Sequence, residues 1–316
     1  MRAAFIETLC ELAEQNEHLW LLTGDLGYSV LERFAVRFPK RFVNVGVAEQ
    51  NMTGIAAGLA MSGKIVFTYS IANFPTLRCL EQIRNDVCYH NANVKIVAVG
   101  GGLAYGTQGV THHGTEDLAI MRTLPNMKVI APADPAETRI ITQEMVKSPG
   151  PCYLRLGKAS ELHVHNNIPD TRIGKAITLR DGHDVTLIAI GDILYNCLKA
   201  GEILEKQGIF AKVLSMHTLK PLDEDAILSA VQETKAILTV EEHSAFGGLG
   251  SAVAEVLSRL STRTVAYRSL SIGETFCKVI GGQEYLRQSH GLSITGICEA
   301  VQTLLSGARP AGKGTH

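Results

Sequence analysis

The chain has 316 residues, more than one hydrophobic core usually serves, so we expect two domains. A composition that is 46% hydrophobic and 19% charged is typical of a globular protein with sizeable cores. The formal net charge of -1 excludes a general attraction to nucleic acid or to an anionic membrane, and we expect neither as a partner.

The N-terminal stretch and the cysteines bear on cellular location. Residues 1–18 form an amphipathic, partly acidic stretch that does not resemble a signal peptide, and no segment has the roughly 18 uninterrupted apolar residues of a membrane span. The seven cysteines are scattered and never form a C-x-x-C pair, so we expect reduced core thiols and no metal site. These features favour a cytoplasmic protein.

Short runs rich in Val, Ile and Leu alternate with longer helical patterns along residues 1–162. Strands are predicted at 19–23, 42–47, 65–69, 94–99, 128–131 and 152–156, and helices at 49–61, 76–90 and 135–147. Such alternation indicates a doubly wound α/β domain with a mostly parallel sheet. Ligands of such sheets gather where strands lead into helices.

The polar segment 163–175 interrupts this alternation, and we interpret it as a linker. Alternation then resumes over residues 176–306, with strands predicted at 184–190, 211–216, 236–240 and 264–268. A second, smaller doubly wound α/β domain is therefore expected. Residues 307–316, with the sequence GARPAGKGTH, are predicted to form a disordered tail.

The segment RFVNVGVAEQNMTGIAAGLAMSG carries the strongest local pattern. Glu49 lies where a strand leads into a helix that is unusually rich in glycine and alanine. The glycines lower helix propensity, and the usual return for so many small residues is close approach of a ligand or another backbone. From local chemistry alone, Glu49 complements the positive end of the helix dipole.

This segment, with GVAEQNM at its centre, resembles the pyrimidine-binding domain of the transketolase family. Further segments resemble that family in order along nearly the whole chain, including TVEEHSAFGGLG in the second domain. The resemblance implies a domain for the aminopyrimidine of thiamine diphosphate at 1–162 and a transketolase C-terminal domain at 176–306. A family glutamate at the position of Glu49 contacts N1′ of the aminopyrimidine, so Glu49 is the predicted catalytic and cofactor-binding residue.

Two more segments carry residues that the resemblance assigns to the site. In TYSIANFPTLRCLEQIRNDV, Phe74 and Tyr69 are the aromatic candidates for holding the aminopyrimidine, and core packing is the alternative. In AVGGGLAYGTQGVTHHGTED, His112 matches a catalytic histidine that contacts the substrate carbonyl or hydroxyl. His113 is its neighbour and is expected to share in substrate binding.

Arg2, Ser29 and Lys158 stand where the family holds the substrate phosphate. The alternatives are a solvated terminal residue for Arg2 and a helix cap for Ser29. The chain also departs from the usual transketolase pattern. A second family histidine falls at Gly100, and an Asp that contacts a substrate hydroxyl falls at Gln108, so the identity of the sugar stays open.

The chain lacks the GDG…N motif by which the family binds the diphosphate and Mg²⁺. The resemblance therefore implies thiamine diphosphate with Mg²⁺ held by a partner, an N-terminal diphosphate-binding transketolase subunit, in an α2β2 assembly. The expected reaction transfers a two-carbon ketol unit from a ketose or ketose phosphate to an aldose. The alternatives are a 2-oxo-acid dehydrogenase beta subunit, a deoxyxylulose-phosphate synthase-like enzyme, or a non-catalytic regulatory subunit.

Overall fold

The computed structural model describes residues 1–158, 162–261 and 265–307. The strands are β1 (Leu19–Thr23), β2 (Phe42–Asn44), β3 (Ile65–Ile71), β4 (Val94–Val99), β5 (Lys128–Ile130), β6 (Cys152–Leu156), β7 (Ile177–Arg180), β8 (Val185–Ile190), β9 (Ala211–Ser215), β10 (Thr218–Lys220), β11 (Ala236–Glu241) and β12 (Ala266–Leu270). The α-helices are α1 (Arg2–Gln15), α2 (Glu32–Arg37), α3 (Glu49–Met61), α4 (Leu80–Gln82), α5 (Asp117–Thr123), α6 (Pro135–Lys147), α7 (Leu194–Glu205), α8 (Glu224–Glu233), α9 (Leu249–Ser258), α10 (Gln283–Ser289) and α11 (Ile294–Leu305).

The first sheet has the order β10-β5-β6-β4-β3-β1-β2 and is parallel except for β10. Helices α1 and α6 cover one face, where Phe5 and Ile141 join the core. Helices α3 and α5 cover the other face through Met52 and Met121. Because both faces are covered, the central strands need apolar residues at nearly every position, which explains their continuous Val, Ile and Leu runs.

The second sheet has the order β12-β11-β8-β9-β7 and is parallel except for β7. Helices α7 and α11 pack on one face, and α8 and α9 pack on the other. The core under α9 continues into the core under α5, where Leu249 and Val253 belong to the same cluster as Met121. The prediction of two doubly wound, mostly parallel α/β units is confirmed.

The antiparallel edge strands β10 and β7 were not predicted. β10 comes from the second segment of the chain, yet Thr218 pairs with Ile130 in the first sheet. Residues 176–306 therefore contribute one strand, β10, to the sheet of the first domain. The interval 163–175 contains no helix or strand, and the backbone N–H groups of Val164 and His165 both donate to the Asp134 carboxylate at 3.0 Å.

The predicted bounds of the helices and strands agree closely with the observed bounds at the centre of the first sheet and less well near its loops. The predicted strand 42–47 ends at Asn44 because the chain turns at Gly46, with φ of 74°. The predicted helix 76–90 begins at Leu80 and continues as a π-helix, Ile83–Cys88. Residue 264 of the predicted strand 264–268, and residues 308–316 of the predicted tail, lie outside the described residues. Among the described helices, none is both long and apolar enough to cross a bilayer.

Candidate active site

The carboxyl ends of the parallel strands in the first sheet share one edge, and the predicted site residues follow those ends. β6 leads to Lys158, β4 to the loop with His112, β3 to Phe74, β1 to Ser29 and β2 to Glu49. These strands lie side by side in the order β6-β4-β3-β1-β2. The topology therefore brings together residues that are more than a hundred positions apart in the chain.

Glu49 is a buried carboxylate at the start of α3. Its side chain is only 2% exposed, whereas that of its ion-pair partner Arg78 is 46% exposed, with Nη1 of Arg78 2.7 Å from Oε2 of Glu49. No side chain caps the N-terminus of α3, so Glu49 supplies the negative charge in the first turn. Burial of a carboxylate with one ion-pair partner carries a desolvation cost that the pair offsets only in part.

A short network of polar groups shapes the wall beside this carboxylate. The side-chain nitrogen Nδ2 of Asn44 donates to Oδ1 of Asp25 at 2.9 Å. The side-chain oxygen Oδ1 of Asn44 accepts from the backbone N–H groups of Asp25 and Gly46, each at 3.0 Å. The loops after β1 and β2 are thereby joined. A Cβ built on Gly24 would lie 3.4 Å from Cγ of Glu49, so the first loop packs directly against the glutamate.

A continuous row of ring and cation contacts crosses the edge. The guanidinium of Arg78 lies 4.8 Å from the centroid of Phe74, whose ring meets that of His112 edge-on at 5.4 Å. The His112 ring is 5.9 Å from that of Tyr105, and the Lys158 ammonium is 4.6 Å from the Tyr105 centroid. The row links the buried carboxylate at one end to a lysine at the other.

His113 lies behind His112 and is 2% exposed. Neither of its ring nitrogens makes a hydrogen bond of good geometry within the described part of the chain, while its carbonyl accepts from the Asn73 amide. Burial lowers the pKa of the His113 ring, and the backbone of Gly106 opposes that shift only in part. The burial therefore favours the neutral form of the ring.

Tyr69 lies on the other face of the sheet from α3. Its ring is buried and stacks on Phe5 of α1, with centroids 6.2 Å apart. This is the core packing that the sequence left open as the alternative. The structure brings Phe74, and not Tyr69, into the row of contacts with His112.

Arg2 and Ser29 both lie near the start of α1, where Ser29 lines a surface pocket together with Ala3 of that helix. Arg2 is half-buried at the start of α1. Burial raises the pKa of Tyr105, and the charge of Arg2 opposes that shift in part. Ser29 is exposed, has φ of 63°, and donates its backbone N–H to Glu32 at 2.8 Å, while α2 has no side-chain cap.

The glycine-rich loop after β4 is anchored to the second domain by Glu242. The Glu242 carboxylate accepts from the backbone N–H of Leu103 at 2.9 Å and pairs with Arg287 of α10. Gly102 has φ of 62°, and a Cβ there would lie 2.4 Å from Oε2 of Glu242, so both backbone conformation and space require glycine.

Arg155 completes this anchor from β6. Its Nη2 donates to the backbone carbonyl of Glu242 at 2.7 Å, and its Nη1 lies 3.4 Å from Asp117, which also accepts from the Tyr153 hydroxyl at 2.5 Å. All of these side chains are largely buried. Arg155 therefore holds the loop in place, and the more open Lys158 is the cation available at the edge.

Two residues of the row, Arg78 and Tyr105, were not predicted from the sequence. Arg78 follows Phe74 by four positions, a spacing that brings both side chains to one side of a helical turn, and this could have identified it. Tyr105 could not be assigned, because its place depends on the path of a glycine-rich loop that no periodicity describes.

The chain's residues fit the aminopyrimidine end of thiamine diphosphate. A buried carboxylate beside a half-buried ring offers a hydrogen-bonding partner and a stacking surface to a flat, nitrogen-containing heterocycle. In the part of the chain that the structure describes, no group of three or more His, Cys, Asp or Glu side chains is arranged to hold a metal ion.

Comparison with known proteins covers both domains. The family model Transketolase, pyrimidine binding domain, matches residues 1–161, and Transketolase, C-terminal domain, matches residues 174–297. An apulose-4-phosphate transketolase subunit of Phocaeicola vulgatus is 44% identical over 303 residues, which cover 95% of this chain and 96% of that protein. The 6-deoxy-6-sulfo-D-fructose transketolase subunit SqwH of Clostridium sp. (strain MSTE9) is 38% identical over 302 residues, covering 95% and 93%.

Similarity extends to solved structures. One described as a split gene transketolase, inactive beta4 tetramer, is 40% identical, has a TM-score of 0.86 and is matched over 98% of each chain. The match therefore includes both sheets and the segment between them. The chain belongs to the transketolase family, as a subunit of a thiamine-diphosphate-dependent transketolase made of more than one kind of chain.

Proposed function

We propose that this chain supplies the aminopyrimidine half of a shared active site that transfers a two-carbon ketol unit from a ketose phosphate to an aldose. The observation that carries the proposal is Glu49, a carboxylate 2% exposed at the ligand edge of the sheet, paired with a half-exposed arginine. A purely structural acid at this depth would be expected to have more partners. Relatives that match over at least 93% of their length are named transketolase subunits.

The proposed roles follow the row of contacts. Glu49 holds N1′ of the aminopyrimidine and shares a proton there, and Phe74 packs against the ring. Thiamine diphosphate, when bound, supplies the carbon nucleophile that the side chains of a protein lack. Arg78 balances the buried negative charge of Glu49.

The substrate is proposed to lie along the other half of the row. His112 is placed to hydrogen-bond the sugar carbonyl or hydroxyl, and its neighbour His113 supports it from behind. Lys158, which lies against the Tyr105 ring, is proposed to bind the phosphate together with Arg2 and the exposed Ser29. This arrangement puts the reacting end of the sugar near Phe74 and its anionic end near Lys158.

We further propose that the diphosphate and Mg²⁺ are held by a separate chain of the N-terminal type, and that two copies of each chain form an α2β2 assembly. The similar structure described as an inactive beta4 tetramer supports a requirement for a second kind of chain. Oxygen ligands alongside the phosphates are the usual environment of Mg²⁺ in proteins, and a partner is expected to provide them.

The test is reconstitution of the full-length chain with a diphosphate-binding partner, thiamine diphosphate and Mg²⁺. Ketose phosphates, unphosphorylated ketoses and a 2-oxo acid are offered as donors, each with a set of aldoses. We expect ketol transfer only when both chains are present. Turnover by this chain alone would contradict the division of the site, and CO₂ release from the 2-oxo acid without ketol transfer would favour the synthase or dehydrogenase alternatives.

A further inference from the structure

The ring of Tyr105 occupies space that any side chain at position 100 would fill. Gly100 has φ of 79°, and a Cβ built there would lie 2.0 Å from Cε2 of Tyr105. A side chain at position 100 and this position of the ring therefore exclude each other. The ring is 8% exposed and lies beside His112, so it forms part of the wall of the proposed sugar site.

The face of this ring meets the ammonium group of Lys158. The Lys158 ammonium lies 4.6 Å from the ring centroid, and no carboxylate of the described residues forms an ion pair with it. A lysine side chain has four rotatable bonds, so its ammonium is poorly fixed unless a neighbour restrains it. An aromatic face restrains a cation without neutralising its charge, which leaves the ammonium free to bind an anion.

We propose that Tyr105 is a positioning residue that holds Lys158 ready for the phosphate of the sugar, and that its ring thereby sets the preference for phosphorylated over unphosphorylated substrates. This inference rests on the proposed function of the site. The aromatic face carries the effect, since the contact joins the ammonium to the ring and not to the hydroxyl. Because Gly100 has no side chain, the ring of Tyr105 can occupy this position.

The test compares Tyr105→Leu, Tyr105→Phe and Lys158→Met in the reconstituted complex, with one sugar offered in its phosphorylated and unphosphorylated forms. We expect Tyr105→Leu to raise KM for the phosphorylated sugar roughly 3- to 10-fold, the range of a partly desolvated cation–π contact, with kcat little changed. KM for the unphosphorylated sugar should rise much less, because that sugar has no phosphate for Lys158 to bind. Tyr105→Phe keeps the aromatic face, so its KM for the phosphorylated sugar should stay much closer to that of the unchanged complex than the KM of Tyr105→Leu does.

A double-mutant cycle separates positioning from general damage to the loop. Once Lys158→Met has removed the cation, Tyr105→Leu should add almost nothing to KM for the phosphorylated sugar. Equal effects on both sugars, additive effects in the cycle, or a Tyr105→Phe complex as impaired as Tyr105→Leu would each overturn the inference. Melting temperatures of the variants identify any loss that comes from folding.

Equilibrium binding of the phosphorylated sugar to the same complexes gives a second readout that does not depend on turnover. If the unchanged complex shows no ketol transfer, the proposed function fails. The inference about Tyr105 is then decided by binding alone. A phosphorylated sugar that binds Tyr105→Leu as tightly as the unchanged complex would overturn it.

Discussion

Two glutamates of this chain are equally buried and differ in what surrounds them. Glu49 is 2% exposed and Glu242 is 3% exposed. Glu242 is surrounded by donors from Arg287, Gln283 and the backbone of Leu103. Glu49 has Arg78 as its side-chain partner in the described structure. A carboxylate whose acceptor positions are filled by its own chain is structural, whereas a buried one with spare capacity at a ligand edge is suited to catalysis.

The largest effect is expected for Glu49→Gln, which tests the catalytic role of this carboxylate. Glutamine keeps the shape of the side chain and can still form hydrogen bonds, but it cannot share a proton with N1′. We expect ketol transfer by the reconstituted complex to fall roughly 10²- to 10⁴-fold, the usual size of a lost acid–base contribution. Size-exclusion chromatography should show an unchanged assembly. A variant that keeps most of its kcat would remove Glu49 from the chemistry.

The opposite outcome is expected for Glu242→Gln. Neutralising Glu242 removes one of three carboxylates that pair with the buried Arg287, and Asp192 and Glu284 stay in place, so we expect a loss of about 1–3 kcal/mol of unfolding free energy. Glu49→Gln should cost much less, because the partner Arg78 is half-exposed and can be hydrated by solvent. Urea unfolding of both variants measures the difference. Equal losses of stability would erase the distinction between the two glutamates.

The sequence located Glu49 and could not locate the surroundings of Glu242. Glu49 follows from a strand that leads into a helix, a local pattern that the resemblance to transketolases reinforced. The partners of Glu242 come from positions 283 and 287 of the same domain and from position 103 of the other, so the tertiary fold brings them together from distant parts of the chain. The three-residue strand β10 is similarly beyond sequence patterns, since so few residues show no alternation.

Period-two alternation could have decided the role of Tyr69. Phe67 and Tyr69 are two positions apart on β3, so they point to the same face of the sheet, where both meet Phe5. Phe74 lies in the loop beyond the strand, where alternation no longer applies. The side of the sheet on which a residue of a central strand lies could therefore be predicted from the sequence. The positions of the loop residues could be read only from the structure.

Phe74→Leu tests which of the two aromatic candidates, Phe74 or Tyr69, contacts the cofactor. Loss of a stacking ring removes about 0.5–1.5 kcal/mol, so we expect the concentration of thiamine diphosphate for half-maximal activity to rise roughly 3- to 10-fold. The matched control is Tyr69→Phe, which keeps the ring in the core and should leave that concentration unchanged. A larger effect at Tyr69 than at Phe74 would reverse the assignment.

The smallest expected effect concerns His113, whose ring is buried without hydrogen-bond partners of good geometry among the described residues. Burial holds its folded-state pKa below the ordinary value of about 6.5, so the unfolded chain takes up a proton first as pH falls. The stability that the neutral ring contributes is therefore present above about pH 6.5 and is lost in acid.

His113→Leu should match the unchanged chain in unfolding free energy near neutral pH, or exceed it slightly, because leucine leaves no buried polar atom unsatisfied. Its advantage should grow as pH falls from about 7.5 to about 5.5, since leucine cannot be protonated. Urea unfolding at the two pH values measures the difference. The titratable side chains that act on His113 are His112, Glu116 and His290, and both chains contain them. If the stability advantage of His113→Leu shrinks in acid, the ring is charged in the folded chain. An increase in KM for the sugar in this variant would show that His113 also acts on the substrate.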